Sequence, residues 1–104
     1  MLQNNTYFNN LLAWYGTLLT DKQAEIMQSY YEDDLSISEI ADNNGVSRAA
    51  VHDTLKRAQD ILEHYENTLK MVSKFEQRQK YYSKLMDLDI IEVSDIVKRL
   101  EEIE

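Results

Sequence analysis

The sequence predicts an all-α protein, a bundle of five or six helices, and three observations carry that prediction. The 104 residues include no proline and only two glycines, leaving little material for tight hairpins or Gly-rich phosphate loops. Apolar residues recur at three- and four-residue spacing along most of the chain, the period of one helical face. Several Ser and Thr residues stand where helix caps belong.

Thr6 is read as the cap of a first helix whose apolar face is Phe8, Leu11, Leu12, Tyr15, Leu18 and Leu19, with Gly16 ending or weakening it. Thr20 caps a second helix, with Asp21 in the first turn where the helix dipole favours an acid, and Ile26, Met27, Tyr30 and Tyr31 on its buried face. Trp14 and Tyr15 join Tyr30 and Tyr31 as core aromatics. Glu32-Asp33-Asp34 is a polar break. Ser36-Ile-Ser-Glu39 fits a capping box. The helix it starts lasts about two turns, because Asn43-Asn44-Gly45 tolerates the left-handed backbone that ends a helix sharply.

Ser47 caps the longest helix, expected from Arg48 to Leu69, with Val51, Leu55, Ala58, Ile61, Leu62, Tyr65 and Leu69 along one stripe. A basic amphipathic segment follows, with Phe75, Tyr81, Tyr82, Leu85 and Leu88 as its apolar members. A last helix, begun near Ser94, carries Val93, Ile96, Val97, Leu100 and Ile103. We read a single domain over 1–104, with a core at 6–69 and a carboxy-terminal helical extension at 70–104. The stripe Val93 to Ile103 is the candidate contact for a homodimer, since a stripe with little left to cover it often pairs with a copy of itself.

Composition narrows the function. There are no cysteines, which excludes disulfides, thiolate metal sites and a thiol nucleophile. The longest mostly apolar stretch, Leu11 to Leu19, is far shorter than the roughly 20 residues that cross a bilayer, and no basic amino-terminal region precedes it, so no membrane insertion and a cytoplasmic location are expected. His52 and His64 lack the spacing and the third ligand of a helical zinc site. No carboxylate stands beside a recognisable base, nucleophile or phosphate loop, so neither catalysis nor a cofactor is expected.

The formal net charge is −8, which opposes polyanion binding over the whole surface. By segment the net is −4 over residues 1–35, −3 over 36–69, +4 over 70–84 and −5 over 85–104. Any nucleic-acid site must therefore be local, and two are candidates. The first is the helix-turn-helix from Ser36 to about Leu62. In it Ala41 is small where the helices cross, Gly45 turns the chain, Val46 is apolar after it, and Val51 meets the first helix. Its second helix presents Ser47, Arg48, Ala49, His52, Asp53 and Lys56 to a groove. Arg48 suits guanine or a phosphate, and Lys56 and Arg57 suit backbone phosphates. That segment nets only −1, a weak footprint for an autonomous operator binder. The second candidate is the stripe Lys70, Lys74, Arg78, Lys80 and Lys84, interleaved with Phe75, Tyr81 and Tyr82, which could grip RNA phosphates while an aromatic stacks on a base. Lys70, Lys74 and Arg78 lie at four-residue spacing and so share one face. The acidic end after it is either a solubilising face or a screen over that stripe.

Leu18-Leu-Thr-Asp-Lys-Gln23, Tyr30-Tyr-Glu-Asp-Asp-Leu-Ser-Ile-Ser-Glu-Ile-Ala41 and Gly45-Val-Ser-Arg-Ala-Ala-Val-His-Asp-Thr-Leu-Lys-Arg-Ala58 resemble the promoter-reading carboxy-terminal domain of bacterial sigma factors. With Tyr15-Gly-Thr-Leu-Leu-Thr20 and Leu62-Glu-His-Tyr-Glu66 added, the chain is more similar still to the small YlxM family, over most of residues 8–70. The sequence departs from the usual motif at Asn44, where an apolar residue is common, and at His52, where a larger aromatic is expected. The resemblance implies a sigma-like fold without a wing. It also implies a regulator in the bacterial signal recognition particle pathway, with the particle's RNA or its GTPase Ffh as partner. A transcriptional regulator that places Ser47 to Arg57 in the major groove of DNA is the alternative, and a pure protein adaptor is the third reading.

Overall fold

The computed structural model describes residues 2–104, with side chains described from Asn5 onward. It is all-α, with no strand among the described residues and six α-helices: α1 (Leu2–Tyr15), α2 (Asp21–Tyr31), α3 (Ile37–Asn44), α4 (Arg48–Leu69), α5 (Met71–Met86) and α6 (Ile91–Ile103). A single 3-10 turn, Gly16–Leu18, follows α1. No helix among them is long and apolar enough to cross a membrane. The chain forms two compact units, residues 1–72 and 73–104.

In the first unit the sequence-predicted caps form. Thr20 Oγ1 accepts from the Gln23 N–H at 3.2 Å, and Gln23 Oε1 accepts from the Thr20 N–H at 3.1 Å. Ser36 and Glu39 make the same reciprocal pair at 3.1 and 3.0 Å, and Ser47 Oγ accepts from the Ala50 N–H at 3.1 Å. Each cap satisfies helix N–H groups that have no partner inside the helix. The apolar stripes then close on one another. Leu11 and Tyr15 of α1, Met27 of α2, Ile40 of α3 and Val51, Ala58 and Leu62 of α4 are essentially inaccessible to solvent. Trp14 and Tyr30 are partly buried against this core, and Tyr31 is buried within it.

Two predicted helix starts are corrected. Thr6 lies inside α1, which begins at Leu2; threonine costs a helix interior only a few tenths of a kcal/mol relative to an ordinary residue, so it marks no boundary by itself. Ser94 lies inside α6, which starts at Ile91 with an extended Ile90 before it. Asp89, at φ 55°, turns the chain just ahead, so the helix starts as soon as the turn is complete and without a side-chain cap.

The junction of α4 and α5 is made without glycine. Lys70 adopts the left-handed conformation, φ 58° and ψ 27°, and its N–H donates to the Glu66 carbonyl at 2.8 Å. Tyr15 Oη donates to Glu66 Oε1 at 2.6 Å and accepts from the Met71 N–H at 3.0 Å, while Glu66 Oε1 also accepts from the Val72 N–H at 3.1 Å. Side chains of α1 and α4 thus cap the first turn of α5.

The second unit holds the rest of α5 and all of α6. Glu104 at the end of α6 accepts from the Tyr82 hydroxyl at 2.7 Å and pairs with the Arg78 guanidinium. The apolar stripe of α6 is covered only in part. Val97 is buried, but Ile96 is 59% and Ile103 82% exposed in the whole chain.

Candidate nucleic-acid interface

The interface is built on the turn between α3 and α4. Gly45 has φ 65° and ψ 35°, a region that costs an L-residue about 1 kcal/mol. The Val46 N–H donates to the Ala41 carbonyl at 3.1 Å, the wrapping bond of a Schellman ending. Asn44 works for the turn. Its Nδ2 donates to the Ile40 carbonyl at 2.7 Å, and its Oδ1 accepts from Lys22 Nζ at 2.7 Å, so an amide satisfies a helix-end carbonyl where an apolar residue is usual. Ala41 is buried at the crossing and Val51 is buried beneath it, as read from the sequence; Val46 instead stays 41% exposed.

This frame presents the start and one side of α4. Ser47, Arg48 and Ala49 are exposed at its start and His52, Asp53, Lys56 and Arg57 beyond it, while Val51, Leu55 and Ala58 are held in the core. The exposed cations differ in what they touch. Lys56 Nζ pairs with Asp60 at 3.1 Å and Arg57 Nε with Asp53 at 3.1 Å, both four residues apart on the same helix. Exposed pairs of this kind are worth about 0.3–0.5 kcal/mol, so a phosphate can displace either acid at small cost. Arg48 makes no ion pair among the described residues. It is the cation of α4 most available to a ligand.

Beside this face lies a cavity of about 170 Å³ lined by Tyr30, Ile37, His52, Leu55, Lys56 and Gln59. Gln59, whose Nε2 donates to the Tyr31 hydroxyl, and Tyr30 were not singled out as site residues from the sequence. Gln59 could have been found, because it lies seven residues after His52 and three after Lys56, on the same helical face.

The basic stripe does not form one helical face. Lys70 stands outside α5 in the left-handed linkage, whereas Lys74 and Arg78 are within α5. The break separates side chains that a continuous helix would align. Arg78 is engaged by Glu104, and Lys84 Nζ lies 5.5 Å from the Tyr81 ring centroid, within cation–π range. Phe75 and Tyr82 are half-buried and Tyr81 is exposed. The hydrogen bond to Glu104 pushes the Tyr82 hydroxyl pKa up, because the carboxylate favours the protonated phenol. No group of three or more His, Cys, Asp or Glu side chains among the described residues could hold a metal ion.

Comparison with known proteins agrees with this architecture. The family described as "Putative helix-turn-helix protein, YlxM / p13 like" matches residues 2–103. A UPF0122 protein of Clostridium acetobutylicum is 40% identical over 108 residues, covering 99% of this chain and 93% of the relative. One from Malacoplasma penetrans is 45% identical over 82 residues (79% and 77%), and one from Bacillus cereus is 47% identical over 88 residues (85% and 80%). An all-α frame, a glycine-turned helix pair and similarity along nearly the whole chain place the protein in the YlxM / p13-like helix-turn-helix family, UPF0122.

Proposed function

We propose that the protein is a non-catalytic regulator that binds nucleic acid through the exposed face of α4, and that its setting is the signal recognition particle pathway, with the particle's RNA as ligand. The observation that carries the binding reading is the rigid presentation of that face. Capping boxes fix α2 and α3, Gly45 and Asn44 set the turn, and the buried side of α4 leaves Ser47, Arg48, Ala49 and His52 uncovered at its start. The start of the second helix is where helix-turn-helix proteins contact bases. The likeness to YlxM-type proteins supports the choice of pathway and ligand. Ffh is the partner if the contact is with protein instead.

Electrostatics bound the strength of the contact. Arg48, Lys56 and Arg57 supply at most three phosphate neutralisations on α4, so the log-log salt slope is expected at about −2 to −3. Lys74 of α5 is a further exposed cation that RNA could use. The DNA reading rests on the same helix, which has the dimensions to enter a major groove.

Fluorescence anisotropy of labelled signal recognition particle RNA, with an unrelated DNA duplex of matched length as competitor, tests the proposal. Binding that resists the competitor and weakens at least tenfold in Arg48→Glu is expected. Equal displacement by the duplex would favour the DNA reading. No RNA binding at high micromolar protein would leave a protein contact, and the titration would then be repeated with Ffh.

A further inference from the structure

We propose that residues 73–104 form a self-association surface whose occupant is a second copy of this chain. The proposal does not rest on the nucleic-acid reading. It starts from what this unit leaves uncovered. In α6, Ile96, Leu100 and Ile103 follow one another at four- and three-residue spacing and are 59%, 39% and 82% exposed. Tyr81 and Leu85 of α5 and Leu88 in the turn after it repeat that spacing, also exposed. Val97 is the only buried side chain of this unit.

The two stripes belong to one unit, in which Arg78 and Tyr82 of α5 meet Glu104 at the end of α6. Along each helix the exposed apolar side chains follow helical spacing rather than being scattered singly over the surface.

Two features select a second copy as the occupant. A unit of 32 residues lies below the ~40 at which a fold usually needs oligomerisation, metals or disulfides to be stable; this chain has no cysteine. Charge supplies the complementarity. Residues 71–86 carry Lys74, Arg78, Lys80 and Lys84 against Glu76, a net of +3, and residues 87–104 carry seven acids against Lys98 and Arg99, a net of −5. In a two-fold pair a contact from α5 to α6 of the partner is made twice, so basic meets acidic on both sides of the axis. A dimer would carry two α4 faces, and two weak phosphate-binding faces linked in one particle bind a long polyanion more tightly than either alone.

Light scattering on the full chain at high micromolar concentration and low salt tests the surface. The expected mass is twice the 12.3 kDa of the chain. The double variant Ile96→Ser, Ile103→Ser, both exposed, is expected to run as a monomer with unchanged helical circular dichroism. Lys80→Glu with Lys84→Glu is expected to raise the dimer dissociation constant at least tenfold, without touching the apolar side chains. A monomeric wild-type chain, or a dimer indifferent to both pairs of substitutions, would overturn the proposal.

Discussion

The two units use the same amphipathic spacing and arrive at different degrees of burial. In the first, fifteen apolar residues from Phe8 to Val72 close into one core, and α4 reaches from the turn at Gly45 to the junction at Lys70 along its whole apolar stripe. In the second, α6 is strongly amphipathic in sequence, yet Ile96 and Ile103 face solvent. Helices gain most of their stability from packing of the apolar face rather than from propensity. The difference therefore lies in what each stripe has to pack against. The four helices of the first unit enclose a volume, whereas the two helices of a 32-residue unit enclose little beyond Val97.

Substitutions that probe this contrast separate by size. Leu62→Ala, at a fully buried position, is expected to cost about 2–5 kcal/mol in denaturant unfolding, whereas Ile103→Ala in the exposed stripe is expected to cost about 0.5 kcal/mol or less in the monomer. A comparable loss at both sites would dissolve the distinction between the units. Next is the junction. Glu66→Ala deprives the Val72 N–H and the Tyr15 hydroxyl of a partner, at about 1–3 kcal/mol. Burial, then the hydrogen bond to Glu66, raises the Tyr15 hydroxyl pKa above its ordinary value of 10.0. Because the folded state holds the proton more tightly, the stabilisation is intact below pH 10 and is lost as pH rises through the folded value. Tyr15→Phe is expected to flatten that alkaline loss while lowering stability at neutral pH. Alkaline melts of the two proteins that run parallel would show that the group does not sense the core.

Smaller again is Gly45→Ala. A methyl there meets nothing within 4 Å, so the cost is that of the backbone alone, about 1 kcal/mol by thermal melting. Asp60→Asn, which frees Lys56, sits at the bottom of the scale, within about 0.5 kcal/mol. In an RNA titration it is expected to tighten binding modestly if Lys56 contacts phosphate, and to leave affinity unchanged if it does not.

The parts legible in the sequence are those decided within a few residues. Thr20, Ser36 and Ser47 cap helices because their oxygens reach an N–H three residues on, and Gly45 takes a conformation that its lack of a β-carbon makes cheap. Arg48 is exposed because it stands in the first turn of α4, beyond the reach of the core, and His52 because it flanks the stripe of Val51 and Leu55. Lys56 with Asp60 and Asp53 with Arg57 were also legible as i, i+4 pairs, and reading the cations as free phosphate ligands overlooked them. What was hidden depends on distant partners or on backbone that no residue type announces. Lys70 and Asp89 take the left-handed region without being glycine. Arg78 meets Glu104 across 26 positions, and Tyr15 meets Met71 across 56.

That last contact orders events while the chain is made. The first N–H groups of α5 are satisfied by Tyr15 and Glu66, groups that are synthesised before α5 itself. Once residues up to Lys70 have emerged, the Tyr15 hydroxyl and the Glu66 carboxylate can pair with each other before Met71 and Val72 reach them. When those two residues leave the ribosome they find a prepared acceptor pair, so the start of α5 is templated by helices already complete. Synthesis from the amino terminus thus favours completing the α3–α4 turn before α5 and α6 fold.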